Sequence, residues 1–371
     1  MTITQNGSPL ADVKAKEIDD FVAATMELLI DKGKFTNLLS DRNDYPAVRE
    51  IMERHKKVYQ GEDWTFDVAI ADNNTGNGTA KFTKLFDTDA SNRVDVLKRG
   101  RVSPRFVTAN YTYDVREKVL NSGSKVQRID YVNSKMVSMY QSYYELMELA
   151  FWGKPSGPTD DISPEGIKFW ILPATDSVAA TAGTKMGSFE AVNPGTNWFR
   201  AGIDSTEFKR WSNWSAQYAE VTPADLVKKM RYAARKTLFK SPLKVGEPTL
   251  GKGRAIYANT DTVMNMEEIL EAQNMNLGND LASKDGKTLF KGNPIYNVST
   301  LDDDAAAPVY MIDWSTFGAA VLAGWDKHVS APKEVANQHN VRAVFLDASF
   351  NFACTNLRNQ AVISKKVTAS S

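Results

Sequence analysis

Between Ser124 and Trp152 the chain contains neither proline nor glycine, and apolar residues return every three or four positions. Val126, Ile129, Val132, Met136, Met139, Tyr143, Leu146 and Ala150 would share one face of a helix. Gly153 followed by Pro155 is a stop signal. A helix of about 28 residues is roughly 42 Å long, far beyond the usual three turns. Its flanks are aromatic, with Tyr131, Tyr140, Tyr143, Tyr144, Phe151 and Trp152. Such a rod is either a long core helix of an α+β enzyme or a spine across which a thin, extended subunit is laid.

Upstream of the rod, residues 1–9 are polar, and an amphipathic helix is expected over Ala11–Asp31, with Gly33 past its end. A second helix is expected over Pro46–Gln60, with proline in its first turn and Gly61 as terminator. Residues 62–114 then change character. Trp64–Ala71 and Phe106–Tyr113 alternate with period two and are rich in β-formers, so each predicts a strand with one wet face. Between them lie the turn cluster Asp72–Thr79 and a polar middle carrying Lys81, Lys84, Lys98, Arg99 and Arg101. Two arms of about a dozen residues would form a ribbon roughly 40 Å long. A lone two-stranded ribbon is marginal in water, so it would have to lie on a neighbouring subunit. The competing reading is a peripheral sheet of the same domain.

Downstream, residues 154–221 are irregular. Trp152, Trp170, Trp198, Trp211 and Trp214 fall in or beside this segment, five of the eight tryptophans in the chain, with Pro155, Pro158, Pro164, Pro173 and Pro194. Loops pinned by large side chains are expected there. Thr222-Pro-Ala-Asp225 reads as a helix start, followed by an apolar face of Leu226, Met230, Ala233 and Leu238. Lys228, Lys229, Arg231, Arg235 and Lys236 cover the rest of that helix and read as a solvated surface. From 253 onward a mixed unit is expected: strands at Arg254–Ala258, Pro294–Val298 and Val309–Asp313, and a helix over Asp261–Gln273. Val341–Ile363 should form two strands of a central sheet.

The chemistry that could make such a chain an enzyme is hard to find. His55, His328 and His339 stand far apart, with no second His or Cys at ligand spacing. No nucleophile elbow, phosphate-binding loop or zinc-protease helix is present. Asp302-Asp303-Asp304 and Asp160-Asp161 read as solvated acidic loops. Cys354, the one cysteine, sits among Phe350, Phe352 and Ala353 and reads as a buried structural thiol. Hence no catalytic, cofactor-binding or metal-binding residue is expected. Lys plus Arg and Asp plus Glu number 45 each, so no basic field exists to hold nucleic acid tightly. No apolar run of about 18 residues and no signal peptide is visible, so a membrane partner is not expected.

The order of elements resembles the major capsid proteins of tailed bacteriophages, whose fold is shared with the herpesvirus capsid floor and the encapsulins. The local likeness lies in Gly166-Ile-Lys-Phe-Trp-Ile171, in Asn193-Pro194 followed by Trp198 and Ala201-Gly-Ile-Asp204, in Trp211-Ser-Asn-Trp214, and in Asn351–Ile363. The resemblance covers nearly the whole chain. It implies an N-terminal arm at 1–60, an extended β-hairpin at 61–114, a spine-helix peripheral domain at 115–220, an axial domain at 221–345, and C-terminal strands at 346–371 returning to the peripheral domain. It further implies a subunit made in the host cytoplasm that assembles with itself into pentamers and hexamers. The icosahedral shell so formed would meet a portal protein, a scaffold protein and, in some relatives, a decoration or cement protein. Packaged double-stranded DNA would be touched only weakly. About 60 residues before the hairpin are too few for a fused scaffolding segment, so a separate scaffold is expected. Some relatives join subunits through a Lys–Asn isopeptide. Lys81, Lys84 and Lys98 lie in the right region, but no partner Asn can be placed, and non-covalent closure is expected. An encapsulin-like shell around an enzyme cargo, and a monomeric enzyme with an unrecognised site, are the alternatives.

Overall fold

The computed structural model describes residues 45–69, 82, 84–85, 97–116, 125–174, 186–237, 253–274 and 289–366, the side chains of 52–54, 125–133, 270–274 and 339 excepted. The expected helix over Ala11–Asp31 and the turn cluster Asp72–Thr79 fall outside them. In chain order the elements are α1 (Pro46–Arg54), β1 (Lys56–Tyr59), β2 (Trp64–Ala69), β3 (Leu97–Val102), β4 (Arg105–Asp114), α2 (Lys125–Trp152), α3 (Ile167–Trp170), β5 (Ser188–Phe189) and β6 (Trp214–Tyr218). There follow α4 (Leu226–Lys236), β7 (Arg254–Ala258), α5 (Thr260–Asn274), β8 (Leu289–Phe290), β9 (Asn293–Asn297), β10 (Val309–Asp313), β11 (Phe317–Leu322), β12 (His328–Val329), β13 (Lys333–Val335), β14 (Gln338–Cys354) and β15 (Ala361–Lys365). The class is α+β.

Two sheets meet at the C-terminal end of α2. One has six strands, built on the long β14, which pairs β4 along one edge and β11, β12 and β13 along the other; β1 lies beyond β11. The other has seven strands in the order β5-β6-β15-β10-β7-β9-β8. Its strands alternate. Ile256, Ala258, Val309, Met311 and Ile363 face the layer of α4 and α5, while Tyr257, Tyr310 and Ile312 face the main core beneath. At the junction Phe151 stacks on Trp314 with centroids 5.6 Å apart and meets Phe317 and Phe352 edge-on. Its neighbour Trp152 packs on Tyr257 and Tyr310 of the second sheet.

The spine helix is present at Lys125–Trp152, but over 134–152, where its side chains are described, its buried face is turned by about a quarter of a circle from the expected stripe. Val137, Tyr140, Met147 and Phe151 are at most 2% exposed, whereas Leu146, expected inside, is 49% exposed. Met139 and Tyr143 belong to both faces and are buried. Two adjacent stripes are comparably apolar here, and the aromatic one won because it alone reaches both sheets.

Other boundaries also differ. The helix expected to Gln60 stops at Arg54, where the His55 amide closes the last turn on Ile51 and residues 56–59 become β1, parallel to β11. Pairing with the apolar β11 outweighs the helical pattern. It requires Gly318, since a Cβ there would stand 2.3 Å from the His55 carbonyl oxygen. The two arms expected to pair do not. β2 pairs β3, so Lys98, Arg99 and Arg101 lie in a strand, while 105–114 joins β14 instead. Val341–Ile363 supplies two strands to two different sheets, β14 to the first and β15 to the second. Thr222 does cap, accepting from the Asp225 amide at 3.2 Å, but it closes a turn, and the helix proper starts at Leu226.

Replacing Phe151 by Ala should therefore cost about 3–5 kcal/mol in urea unfolding, as for a large buried aromatic. Leu146→Asp should shift stability by only about 0.5 kcal/mol.

Candidate assembly surface

The ribbon β2–β3 pairs with no other strand among the described residues, and its exposure alternates along both strands. One face of the described ribbon packs on the body, with Trp64, Phe66 and Val68 against the main core. Phe66 tilts against Trp211 with centroids 6.2 Å apart, Lys98 lies over the Phe208 ring, and the Arg101 amide donates to Ala201 O at 3.1 Å. Val102 is buried where the ribbon enters the body.

That anchor is held by the Trp-rich segment, which folds around Arg200. The guanidinium is fully buried and pairs with no carboxylate among the described residues. It donates instead to the carbonyls of Trp170, Val192 and Trp211, to Asn213 Oδ1 at 3.0 Å and to Ser205 Oγ at 2.7 Å. Burial draws its pKa down to about 10, so it stays charged and draws loop carbonyls around it. Nothing in the sequence pattern singles out Arg200; a lone Arg between Phe199 and Ala201 is the only sign.

The turn between β3 and β4 is the ribbon's root, and three polar ties fix it. Asn351 of β14 donates to Ser103 O at 2.8 Å and accepts from the Glu165 amide at 2.8 Å. Ser103 Oγ donates to Asp63 at 2.7 Å. Arg105 donates to Asp161 O at 2.5 Å and Asp160 O at 3.2 Å. Against this root sits the Glu165 carboxyl, whose Oε2 has no hydrogen bond. Burial raises its pKa to about 7, outrunning the attraction of Arg105.

Further along, α2 and β4 border an open groove of about 410 Å³, lined by Val107, Ala109 and Tyr111 on one side and Met139, Ser142 and Leu146 on the other. Its lining includes no carboxylate, imidazole or thiol. Beside it runs the outer edge of β4, ten residues long and unpaired by any described strand. Lys135 covers one of its carbonyls, donating to Thr112 O at 3.0 Å.

The residues considered for chemistry do not converge. Asp160 staples its own loop, accepting from the amides of Ile162 and Ser163 and from Ser156; these bonds hold it well below the usual carboxylate range. Asp302 binds Thr260 and Asp304 pairs with Lys168, so the acidic triplet is divided between two tasks. Among the described residues no group of three His, Cys, Asp or Glu is placed to hold a metal. Cys354 is fully buried, and burial pushes its thiol up to about 12, as fits an inert core thiol. Of the three lysines weighed for a crosslink, Lys98 is spent on Phe208, Lys84 is exposed, and Lys81 is outside the described residues. No described helix is long and apolar enough to cross a membrane.

No protein-family model matches the sequence, and no curated protein does. Solved structures do match. The chain is similar to a subunit in the cyanophage A-1(L) capsid asymmetric unit, at 11% identity and TM-score 0.60, covering 89% of this chain and 94% of that one. It is also similar to subunits of the capsid of a native GTA particle (12% identity, TM-score 0.54, 88% and 92% covered) and of an empty one (12%, 0.52, 88% and 92%). The fold is therefore that of tailed-phage major capsid proteins, spanning nearly the full length of each.

The root carries a pH signature. An acid whose folded pKa lies above its unfolded value binds protons more tightly when folded. Its stabilisation is complete below about pH 4.5 and is lost as pH climbs toward about 7. Thermal melts between pH 5 and 8 should show this decline, and Glu165→Gln should flatten it.

Proposed function

We propose that this chain is the major capsid protein of a tailed phage, assembling into the pentamers and hexamers of an icosahedral shell around double-stranded DNA. The observation that carries the reading is a subunit with the capsid fold whose ribbon and ten-residue β4 edge find no further strand partner among the described residues. Such elements gain stability from adjacent copies, which supply the missing surface. Interfaces of this kind bury upwards of about 2,000 Å² in total, and ordering the limbs offsets much of the gain. The mechanism is assembly, not turnover. Capsid subunits as structural neighbours support a non-enzymatic role.

In this reading residues 1–60 carry the arm, rooted in the body by α1 and β1, 61–102 form the ribbon, and 105–114 the outer strand of the peripheral unit, together with 115–220 and β14. The seven-stranded sheet with α4 and α5 forms the axial unit, and β15 closes it. Portal, scaffold and decoration proteins are the further partners, with DNA touched weakly because the chain has no net charge. The subunit would reside in the virion after synthesis in the host cytoplasm.

Expression alone should yield closed or tubular shells in negative stain. Nucleic acid within them favours the virus, and a co-purified enzyme favours an encapsulin-like container. A monodisperse monomer at all concentrations would overturn both. Replacing residues 71–95 with a two-residue Asn-Gly turn should leave a soluble subunit with an unchanged far-UV spectrum that forms no closed shells.

A further inference from the structure

In the seven-stranded sheet β6, β15, β7 and β9 all run the same way, and β10 opposes them. Helices α4 and α5 each start where one of these strands ends and run back across the sheet. The layer therefore has two distinguishable ends, separated along β9 by about 17 Å.

Positive charge gathers at the end where the strands begin. Arg231, Arg235 and Lys236 are exposed on the last turns of α4. Lys291 joins them from the β8–β9 turn, held out by a left-handed backbone (φ 50°) ahead of Gly292. Burial lowers its pKa, and the positive charges of Arg235 and Arg231 lower it further. Arg231, Arg235 and Lys291 form no ion pair among the described residues. At the other end, the corner where β7 and β9 finish carries Asp261, Asp302 and Asp303, all exposed. Asp261 and Asp303 likewise have no ion pair among the described residues. Lys228, Lys365 and Lys366 share that end but belong to the β6–β15 corner, at least two strands away.

We infer that the Arg231–Arg235–Lys291 cluster of one subunit docks on the Asp261–Asp302–Asp303 corner of the next copy, so that the axial units join head to tail around a ring. A surface split in sign suits a copy of itself. It suits a uniform polyanion such as DNA less well, because a duplex laid across the layer would meet both signs. Head-to-tail contact also closes rings by rotation, which like-to-like contact does not. The inference rests on the shell reading above and names the contact within it.

The test uses the full chain in four forms: wild type, R231E/R235E, D261K/D303K, and the quadruple combination. Light scattering and negative stain measure the concentration at which half the protein is in shells; circular dichroism checks the fold. Each double variant should need at least about tenfold more protein in low salt, with a smaller penalty in 1 M salt. The quadruple variant, with both signs exchanged, should return to within about threefold of wild type. If a double variant fails to fold, R231Q/R235Q and D261N/D303N replace it, with a smaller expected loss. Wild-type assembly by the doubles, or a folded quadruple that stays defective, overturns the contact. Normal shells from R231E/R235E that lose retained DNA would reassign the cluster to nucleic acid. Absence of shells from wild type would sink the shell reading itself, a different failure.

Discussion

Phe151 and Trp152, the last two residues of the spine, are where the two sheets are joined. Phe151 fills the space between Trp314, Phe317 and Phe352, and Trp152 fills that between Tyr257 and Tyr310. Trp314 continues the joint, stacking on His55 and donating through Nε1 to the Tyr257 hydroxyl at 3.0 Å. One turn earlier the fully buried Glu148 accepts from Trp152 Nε1 at 2.6 Å and from the Ala47 and Val48 amides at 3.3 and 2.9 Å. A carboxylate from the spine thereby caps α1, satisfying donors at the helix N-terminus that would otherwise be buried unpaired. Gly166 completes the joint. A Cβ there would fall within 2.3–2.7 Å of the Ala150, Gly153 and Phe151 carbonyls, so only glycine lets the following loop close over the helix end.

From this fixed point the subunit divides into parts that are self-sufficient and parts that are not. The spine end and the sheet faces are saturated with apolar contacts. The described ribbon lays one face on the body, through Trp64, Phe66, Val68 and Lys98, while its other face is exposed and neither strand has a further described strand partner, and the β4 edge lies beside an open groove. Arg200 mediates between the two regimes: its buried charge gathers the loop that receives the ribbon's foot. Glu165 is buried beside the β3–β4 turn, its pKa raised to about 7 by that burial.

Much of this was legible from residue order. The spine, with its Gly-x-Pro stop, the strands at 254–258 and 309–313, the helix over 260–274 and the buried Cys354 follow from local pattern, and the resemblance to capsid subunits placed them in one fold. What pattern did not disclose was pairing. Trp64–Ala69 and Arg105–Asp114 both look like ribbon arms because alternation reports a half-wet face and says nothing about the partner. The polar run Leu97–Val102 carries too many charges to announce itself as a strand, yet it is the real partner. Leu146 misled for a related reason: helical period identifies a stripe, but the choice between adjacent stripes is made by sheets distant in sequence. Arg200 and Glu148 left no signature, since a buried ion is recognised only by its surroundings.

The central claim is that the ribbon and the β4 edge draw their stability from neighbouring copies. Amide hydrogen exchange, compared between isolated subunits and assembled shells, addresses it most directly. The account predicts that amides of Trp64–Ala69 and Leu97–Val102 slow by at least about a hundredfold on assembly. Those of the spine from Val137 to Phe151 should be strongly protected in both states. A ribbon already as protected in the isolated subunit as in the shell would contradict the account.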